Sequence, residues 1–453
     1  MRTIFITIFQ GVEAKNILRT GVLTSLLAAP GVRLVFLLGS EARREYFRRE
    51  FQDPRMIYEV VGYRPAGFLD RLFSRLKFTL LSTATTDLRR RMKFDLDRNY
   101  LAYAAGWLAN RALARPFVRR LVRWLDFRLV ADDQFASLFN RYRPSVLLAA
   151  HLFDDAEAGL LREARRRGVR TIGFINSWDK LTARSALRLL PDELLTYNDI
   201  VKAEAVTHAD MPAERIRALG IPQYDRYVAY RPCPRAEFMG RIGISDPSRR
   251  LLLYAPMGET FSGSDWDIID LLRRWQAEGA LPADVEFLVR FQPNDAVREE
   301  EIQKRPWLRY DRPGVRFSAE RGVDWDMREP ELRHLADTLF HSSLLICYAS
   351  SLSVDAAIFG KPVININFEI TPSEHMIKSP AQFYAMAHYQ NALRTGGIRL
   401  VASSGELCAW IRRYLDDPAL DQSGRQRLVE EQCGRLDGRA GERIAGAILQ
   451  NPA

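Results

Sequence analysis

The densest chemical pattern in the chain runs from Ser342 to Asn367. An apolar run, Leu344 to Tyr348, is followed by Ser350-Ser351-Leu352-Ser353, a short segment carrying Asp355, a Gly360-Lys361-Pro362 turn and a second apolar run, Val363 to Asn367. Run lengths and punctuation predict strand, turn, short helix and strand, a single βαβ step. In an open parallel sheet the turn after a strand lies at the carboxyl edge, where ligands bind, and hydroxyls beside helix N–H groups suit a phosphate. Ser350, Ser351 and Ser353 are expected to hold that phosphate, and Asp355, one turn further, a ribose or sugar hydroxyl. The same residues also read as an ordinary helix start, with Ser351 as N-cap and Asp355 as a first-turn dipole partner.

Other groups follow predicted strands in the same way. Arg290 stands between a strand and Pro293, Tyr254-Ala255-Pro256 ends another strand, and Met257-Gly258-Glu259-Thr260 continues it as a loop with backbone N–H groups. Nearer the N-terminus, Glu13 and Asn16 follow the first strand, His151, Asp154 and Asp155 follow Ser145–Ala150, and Asn176, Trp178, Asp179 and Lys180 follow Arg170–Ile175. Asp154 and Asp155 read as helix caps, because Asp-Asp-Ala-Glu opens a clear helix, and Asp295 as a cap of the helix after it. A lone His151 reads as structural rather than as a base.

The elements that must position these groups alternate. Strands are expected at Thr3–Phe9, Arg33–Leu38, Ser145–Ala150, Arg170–Ile175 and Glu193–Tyr197, and again at Leu251–Ala255, Glu286–Phe291, Val315–Phe317, Leu344–Tyr348 and Val363–Asn367, with helices between. At 453 residues the chain exceeds a single core. The fold class is therefore α/β with two Rossmann-like, doubly wound domains: 1–230, interrupted by a helical insertion at about 65–139, and 236–425, followed by a C-terminal helical segment, 426–453. The proline-punctuated stretch Tyr230 to Arg235 serves as linker. Cys233, Cys347, Cys408 and Cys433 lack paired spacing, so neither disulfides nor a metal site is expected. No G-x-G-x-x-G or Walker A sequence occurs. The N-terminal apolar run is too short for a signal segment and no window is long enough to span a bilayer, which points to the cytoplasm.

The run Ser177-Trp178-Asp179-Lys180, with Pro191-Asp192, Tyr197-Asn198, Gly220-Ile221-Pro222 to Tyr227, Tyr254-Ala255-Pro256, Arg290-Phe291-Gln292-Pro293, the serine turn and Asp437-Gly438, resembles bacterial GT-B glycosyltransferases of capsule and O-antigen type. It is similar also to CDP-glycerol polyol-phosphate transferases and to UDP-N-acetylglucosamine 2-epimerases. Polyol-phosphate transferases usually carry histidine where this chain has Gln292, which weakens that reading.

The resemblance implies a GT-B fold whose domains face a cleft, and a metal-independent glycosyltransferase that uses a nucleotide sugar as substrate and needs no cofactor. The donor would be held by Arg290, Ser350, Ser351, Ser353, Asp355, Pro256 and Gly258. The acceptor, a cell-surface polysaccharide or lipid-linked glycan, would meet Asn16, Asn176, Trp178 and Lys180. A base must reach the acceptor hydroxyl, and Asp179 is the first choice, Glu13 the second. Trp178 reads equally as a sugar platform or as core. The rival readings are polyol-phosphate transfer, 2-epimerisation and a non-catalytic glycan- or nucleotide-binding protein.

Charge is localised. The formal net charge is +10, and residues 64–128 hold fifteen Lys/Arg against five Asp/Glu, so the remainder is neutral. Arg115, Arg119, Arg120 and Arg123 recur opposite Phe117, Val118, Leu121, Val122 and Leu125, the pattern of a basic amphipathic helix. Such a face is expected to lie solvated on its own domain, to meet an acidic acceptor, or to meet an anionic surface at the inner face of the cytoplasmic membrane. No nucleic-acid signature accompanies it.

Overall fold

The computed structural model describes residues 1–293, 295–318 and 324–450; the last three residues of the expected C-terminal segment, 451–453, lie outside these. The chain forms two compact units. One comprises Met1–Phe94, Asn99–Val228 and Cys433–Ala453, the other Asp95–Arg98 and Ala229–Gln432.

The first unit is built on seven parallel strands, β1 (Arg2–Ile8), β2 (Val32–Leu38), β3 (Met56–Val60), β4 (Val146–Ala149), β5 (Arg170–Phe174), β6 (Glu193–Thr196) and β7 (Ile216–Ala218), in the order β3-β2-β1-β4-β5-β6-β7. β1, β2 and β4 are almost wholly buried apolar runs because helices cover both faces of the sheet. The edge strands β3 and β7 are largely half-buried, so they lack the apolar run that makes an inner strand legible. The order reverses between β1 and β4, which opens a crevice at their carboxyl ends.

The second unit has six parallel strands, β8 (Arg250–Ala255), β9 (Val285–Arg290), β10 (Tyr310–Asp311), β13 (Leu344–Cys347), β14 (Val363–Ile366) and β15 (Arg399–Val401), in the order β10-β9-β8-β13-β14-β15. Its switch point falls between β8 and β13. The stretch Val315–Phe317, expected in this sheet, instead contributes β11 (Val315–Arg316) to a small antiparallel ribbon with β12 (Trp325–Asp326). Two residues with an exposed arginine bury too little apolar surface to compete for an inner position.

The helical insertion lies between β3 and β4, with helices at Phe68–Leu76, Ala84–Asp97, Tyr100–Leu113, Pro116–Leu129 and Ala136–Tyr142. Buried ion pairs fix it to the first unit. Arg188 donates to Asp126 at 2.9 Å, Asp70 at 2.7 Å and Asp155 at 3.0 Å, while Arg162 donates to Asp126 at 2.6 Å.

The helix Pro116–Leu129 departs from its expected amphipathic orientation at Phe117, Arg119, Leu121 and Arg123, while Val118 and Val122 pack inward and Arg115 and Arg120 stay exposed as expected. Arg119 and Arg123, only 5% and 9% exposed, point inward, and both pair with Asp210 at 2.6–2.8 Å. Phe117, Leu121 and Trp124 point outward. The polar-outward rule fails because Asp210, at the end of the helix Asp199–Ala209, supplies the countercharge that makes two buried guanidinium groups tolerable.

The C-terminal helix Ala440–Leu449 belongs to the first unit. Gly441 lies so close to Gly21, which opens the helix Gly21–Ala28, that a Cβ there would stand 2.8 Å from backbone. Asp225 accepts the N–H groups of Ala440 and Gly441 at 3.0 and 2.7 Å, satisfying two donors at that helix start. Asp437 takes Arg443 at 2.7 Å. Asp225 and Asp437, two residues of the resemblance motif, thus serve as staples of the C-terminal helix.

Candidate functional site

The switch point of the first unit gathers most of the expected N-terminal residues. Glu13, at the first turn of the helix Gly11–Ile17, turns one carboxylate oxygen back to accept from the Phe9 and Gln10 N–H groups. That capping arrangement leaves its Oε1 buried and without a partner. Asn16 donates to the Val12 carbonyl at 2.9 Å and leaves Oδ1 buried and unmatched. Asn176, after β5, donates to the Ala150 carbonyl at 2.7 Å and likewise leaves Oδ1 unmatched, while Tyr197 donates to the Asn176 carbonyl.

His151, after β4, contacts Lys180 at 2.5 Å between Nε2 and Nζ, and its Nδ1 faces Asp154 Oδ2 at 3.5 Å. Glu157 lies beneath. It accepts from Thr7 and from the backbone N–H groups of His151 and Leu152, and Leu152 takes a left-handed conformation, φ 69°, so that two successive N–H groups reach one carboxylate. A branched residue in that region is strained, and such strain concentrates at working sites.

This cluster is electrostatically loaded. Burial, with Glu157 and Asp154 nearby, raises the Glu13 carboxyl well above the ordinary range. Burial and Asp154 push Glu157 up to about 7. Burial and Arg184 lower Lys180 to about 8, and burial with Lys180 holds His151 well below its usual value. Burial also raises Asp154. Paired acid and base groups displaced toward neutrality can exchange protons with a substrate.

Asp154 occupies the N-cap position of the helix Asp155–Arg166, yet its side chain makes no cap hydrogen bond. At 38% side-chain exposure it is the accessible end of the line Asp154, His151, Lys180. The cap reading holds for its position, but its side chain faces His151 instead of the helix N–H groups. Asp155 is committed to Ser74, Lys77 and Arg188. Asp179 lies half-buried at the start of the helix Lys180–Ala183, accepting from the Ser177 hydroxyl, with half-buried Trp178 before it.

In the second unit the loop after β8 and the turn after β13 flank the switch point. The loop amides expected to be available are occupied: Met257 and Gly258 N–H donate to Asp265 at 3.3 and 2.7 Å, and burial pushes that carboxyl up to about 6. Gly258 has φ 90°, which a side chain would strain, so the loop needs glycine there. Gln292 holds the Met257 carbonyl at 3.0 Å, closing the loop that begins at Pro256.

The serine turn divides. Ser351 is exposed and makes no cap hydrogen bond, and Ser350 accepts the Leu352 N–H at 3.2 Å. Ser353 is fully buried against Tyr389 at 3.0 Å, Cys347 and Asn365, so its hydroxyl belongs to the core network rather than to the turn surface. Asp355 is also buried, at 4% exposure. Arg290, at the end of β9, is 6% exposed and pairs with Asp311 at 3.0 Å, which His334 also contacts at 2.9 Å. Asp295 caps no adjoining helix: the next one starts at Glu299, behind Arg298. Among the described residues, no group of three or more His, Cys, Asp or Glu is arranged to hold a metal ion.

No family model matches the sequence, and no curated protein matches it. Solved structures do. UDP-GlcNAc 2-epimerase from Neisseria meningitidis, bound to UDP-GlcNAc, superposes with TM-score 0.57 at 10% identity, covering 100% of each chain. A glycosyltransferase from Rickettsia africae gives 0.51 at 10% identity over 100% of this chain and 99% of that one. The wall teichoic acid polymerase TagF, in a variant form, gives 0.50 at 13% identity over 99% and 88%. At such identities the likeness speaks for fold, and with two parallel Rossmann-like sheets in series the chain is a GT-B-fold protein.

Proposed function

We propose that this protein is a nucleotide-sugar-dependent glycosyltransferase whose first unit binds a hydroxyl-rich glycan acceptor, free as polysaccharide or carried on lipid, and whose second unit binds the donor. The observation that carries the reading is the set of unmatched polar atoms at one switch point: Glu13 Oε1, Asn16 Oδ1 and Asn176 Oδ1 are all buried and lack hydrogen-bond partners. A buried acceptor without a donor costs about 1–3 kcal/mol, and a polyol supplies several donors at once. Asp154, backed by His151 and Lys180, is assigned as the group that takes the proton from the acceptor hydroxyl, with Asp179, at the start of the helix that carries Lys180, orienting the sugar. On the donor side the Ser350–Ser351 turn, with Ser351 exposed, and the Gly258 loop would flank a diphosphate, with Arg290 a strand away. What the fold neighbours bind, UDP-GlcNAc in the Neisseria enzyme, is consistent with a nucleotide sugar here.

Product analysis tests this. The full chain is incubated with a panel of nucleotide sugars and CDP-glycerol, with and without glycan acceptors. Sugar transfer is the expected outcome. A donor epimerised at C2 would identify a 2-epimerase, which the same proton-exchanging cluster could serve, and transferred glycerol phosphate a polyol-phosphate transferase. Asp154→Asn should lower turnover by about 10²–10⁴-fold while donor binding is kept. Donor binding with no product from any donor would overturn the enzymatic reading.

A further inference from the structure

The helical insertion is rich in exposed apolar side chains. Among the described residues, thirteen of the nineteen exposed large hydrophobic residues fall between Phe68 and Leu129. Isolated exposed apolar side chains are ordinary, but a contiguous set marks a surface that something covers.

Three helices build the display. On Pro116–Leu129 the outward stripe is Phe117, Arg120, Leu121, Trp124 and Arg128, at helical spacing. On Tyr100–Leu113 it is Leu101, Trp107 and Leu108, with Leu101 85% exposed, and no charge occurs before Arg111. On Phe68–Leu76, Phe68 and Leu72 alternate with Arg71 and Arg75. The inward sides of the three, through Leu76, Leu113, Val118 and Val122, pack on one small core of Leu80, Leu81 and Ala186. Each of the three helices therefore turns its exposed residues away from that shared core.

Composition and charge select the occupant. Tryptophan and phenylalanine interleaved with arginine match the interface of a bilayer, where rings enter the acyl boundary and guanidinium groups meet phosphates. Arg128 lies 5.9 Å from the Trp124 ring, which sets a cation beside an aromatic ring on the exposed stripe, whereas Arg111, near the Trp107 ring, is paired with Asp87 at 2.8 Å. A second copy of the chain is disfavoured, because residues 64–128 carry the whole +10 and pairing would set like charges face to face. No helix among the described residues is long and apolar enough to cross a membrane.

We propose that the outer face of these three helices docks in the plane of an anionic lipid surface, with Leu101, Leu108, Phe117, Leu121 and Trp124 entering the headgroup boundary and the exposed arginines pairing with lipid phosphates. The docking is by insertion, not by a basic face alone, since Arg119 and Arg123 are consumed by Asp210.

The full chain is tested by sedimentation with vesicles of phosphatidylcholine, alone or with about one third phosphatidylglycerol, and by quenching of tryptophan fluorescence with acyl-brominated lipid. These readouts need no catalysis, so they stand apart from the glycosyltransferase proposal. Anionic vesicles should capture the protein, bromine on the acyl chain should quench it, and the triple variant Leu108→Ser, Leu121→Ser, Trp124→Ser should lower partitioning about tenfold or more while melting like the parent. Three results overturn the proposal: no capture at low salt, equal capture of the triple variant, or capture without acyl-chain quenching. A concentration-dependent doubling of mass abolished by the triple variant would assign the face to a second copy instead.

Discussion

Replacing Asp210 with asparagine tests the orientation of the helix Pro116–Leu129 directly. Asp210 sits in the left-handed region, φ 55°, where asparagine is equally at home, so Asp210→Asn changes charge without backbone strain. Its carboxylate holds Arg119 through two hydrogen bonds at 2.7 and 2.6 Å and Arg123 through one at 2.8 Å, with all three side chains at or below 10% exposure. After substitution each guanidinium keeps one backbone acceptor, Thr207 at 3.4 Å and Leu187 at 2.9 Å, but neither keeps a countercharge. Stranding a buried charge costs about 3–5 kcal/mol. Arg120, one residue from Arg119 and exposed, provides the control: Arg120→Gln should change stability by no more than about 0.5 kcal/mol. Urea unfolding followed by far-ultraviolet circular dichroism measures both. A loss below about 1 kcal/mol in Asp210→Asn, or an equal loss in both variants, would mean that the arginines do not face inward, and the outward apolar stripe would fall with them.

Glu157, at about 7 against an ordinary 4.5, holds a proton in the folded state that the unfolded chain has released. Stability should therefore fall as pH rises from about 4.5 to about 7, by at most about 1.4 kcal/mol per pH unit for one proton, and level off above; Glu157→Gln should flatten that slope in pH-dependent urea titrations. Gly441→Ala sets a Cβ 2.8 Å from the Gly21 backbone and should destabilise the first unit by about 1–3 kcal/mol in thermal melts, whereas Gly446→Ala, which meets nothing within 4 Å, should not. Asp225→Ala removes both acceptors at the start of the C-terminal helix and should cost about 1–2 kcal/mol by the same measurement, with Asp225→Asn recovering part of it.

The inner strands were legible in the sequence because a strand covered on both faces must be an unbroken apolar run, and β1, β2, β4, β8, β13 and β14 are such runs. The two-unit organisation and the location of ligand-capable groups after strand ends followed from the same periodicity. The edge strands did not show, since half-buried strands of two to five residues have no run to read. The candidate site was legible as positions but not as partnerships. Nothing in the sequence says that Ser353 is consumed by Tyr389, that Met257 and Gly258 N–H groups are taken by Asp265, or that Asp154 turns from its helix toward His151 and Lys180. Tyr389 lies on a helix far along the chain from Ser353, and even the partners close in sequence, Asp265 with Gly258 and Asp154 with His151, are set by the fold of their loops rather than by residue type. The helix Pro116–Leu129 shows the limit most sharply: its period fixed two faces, but which one is buried depended on Asp210, some 90 positions along the chain, because a buried cation is permissible only where a countercharge waits for it.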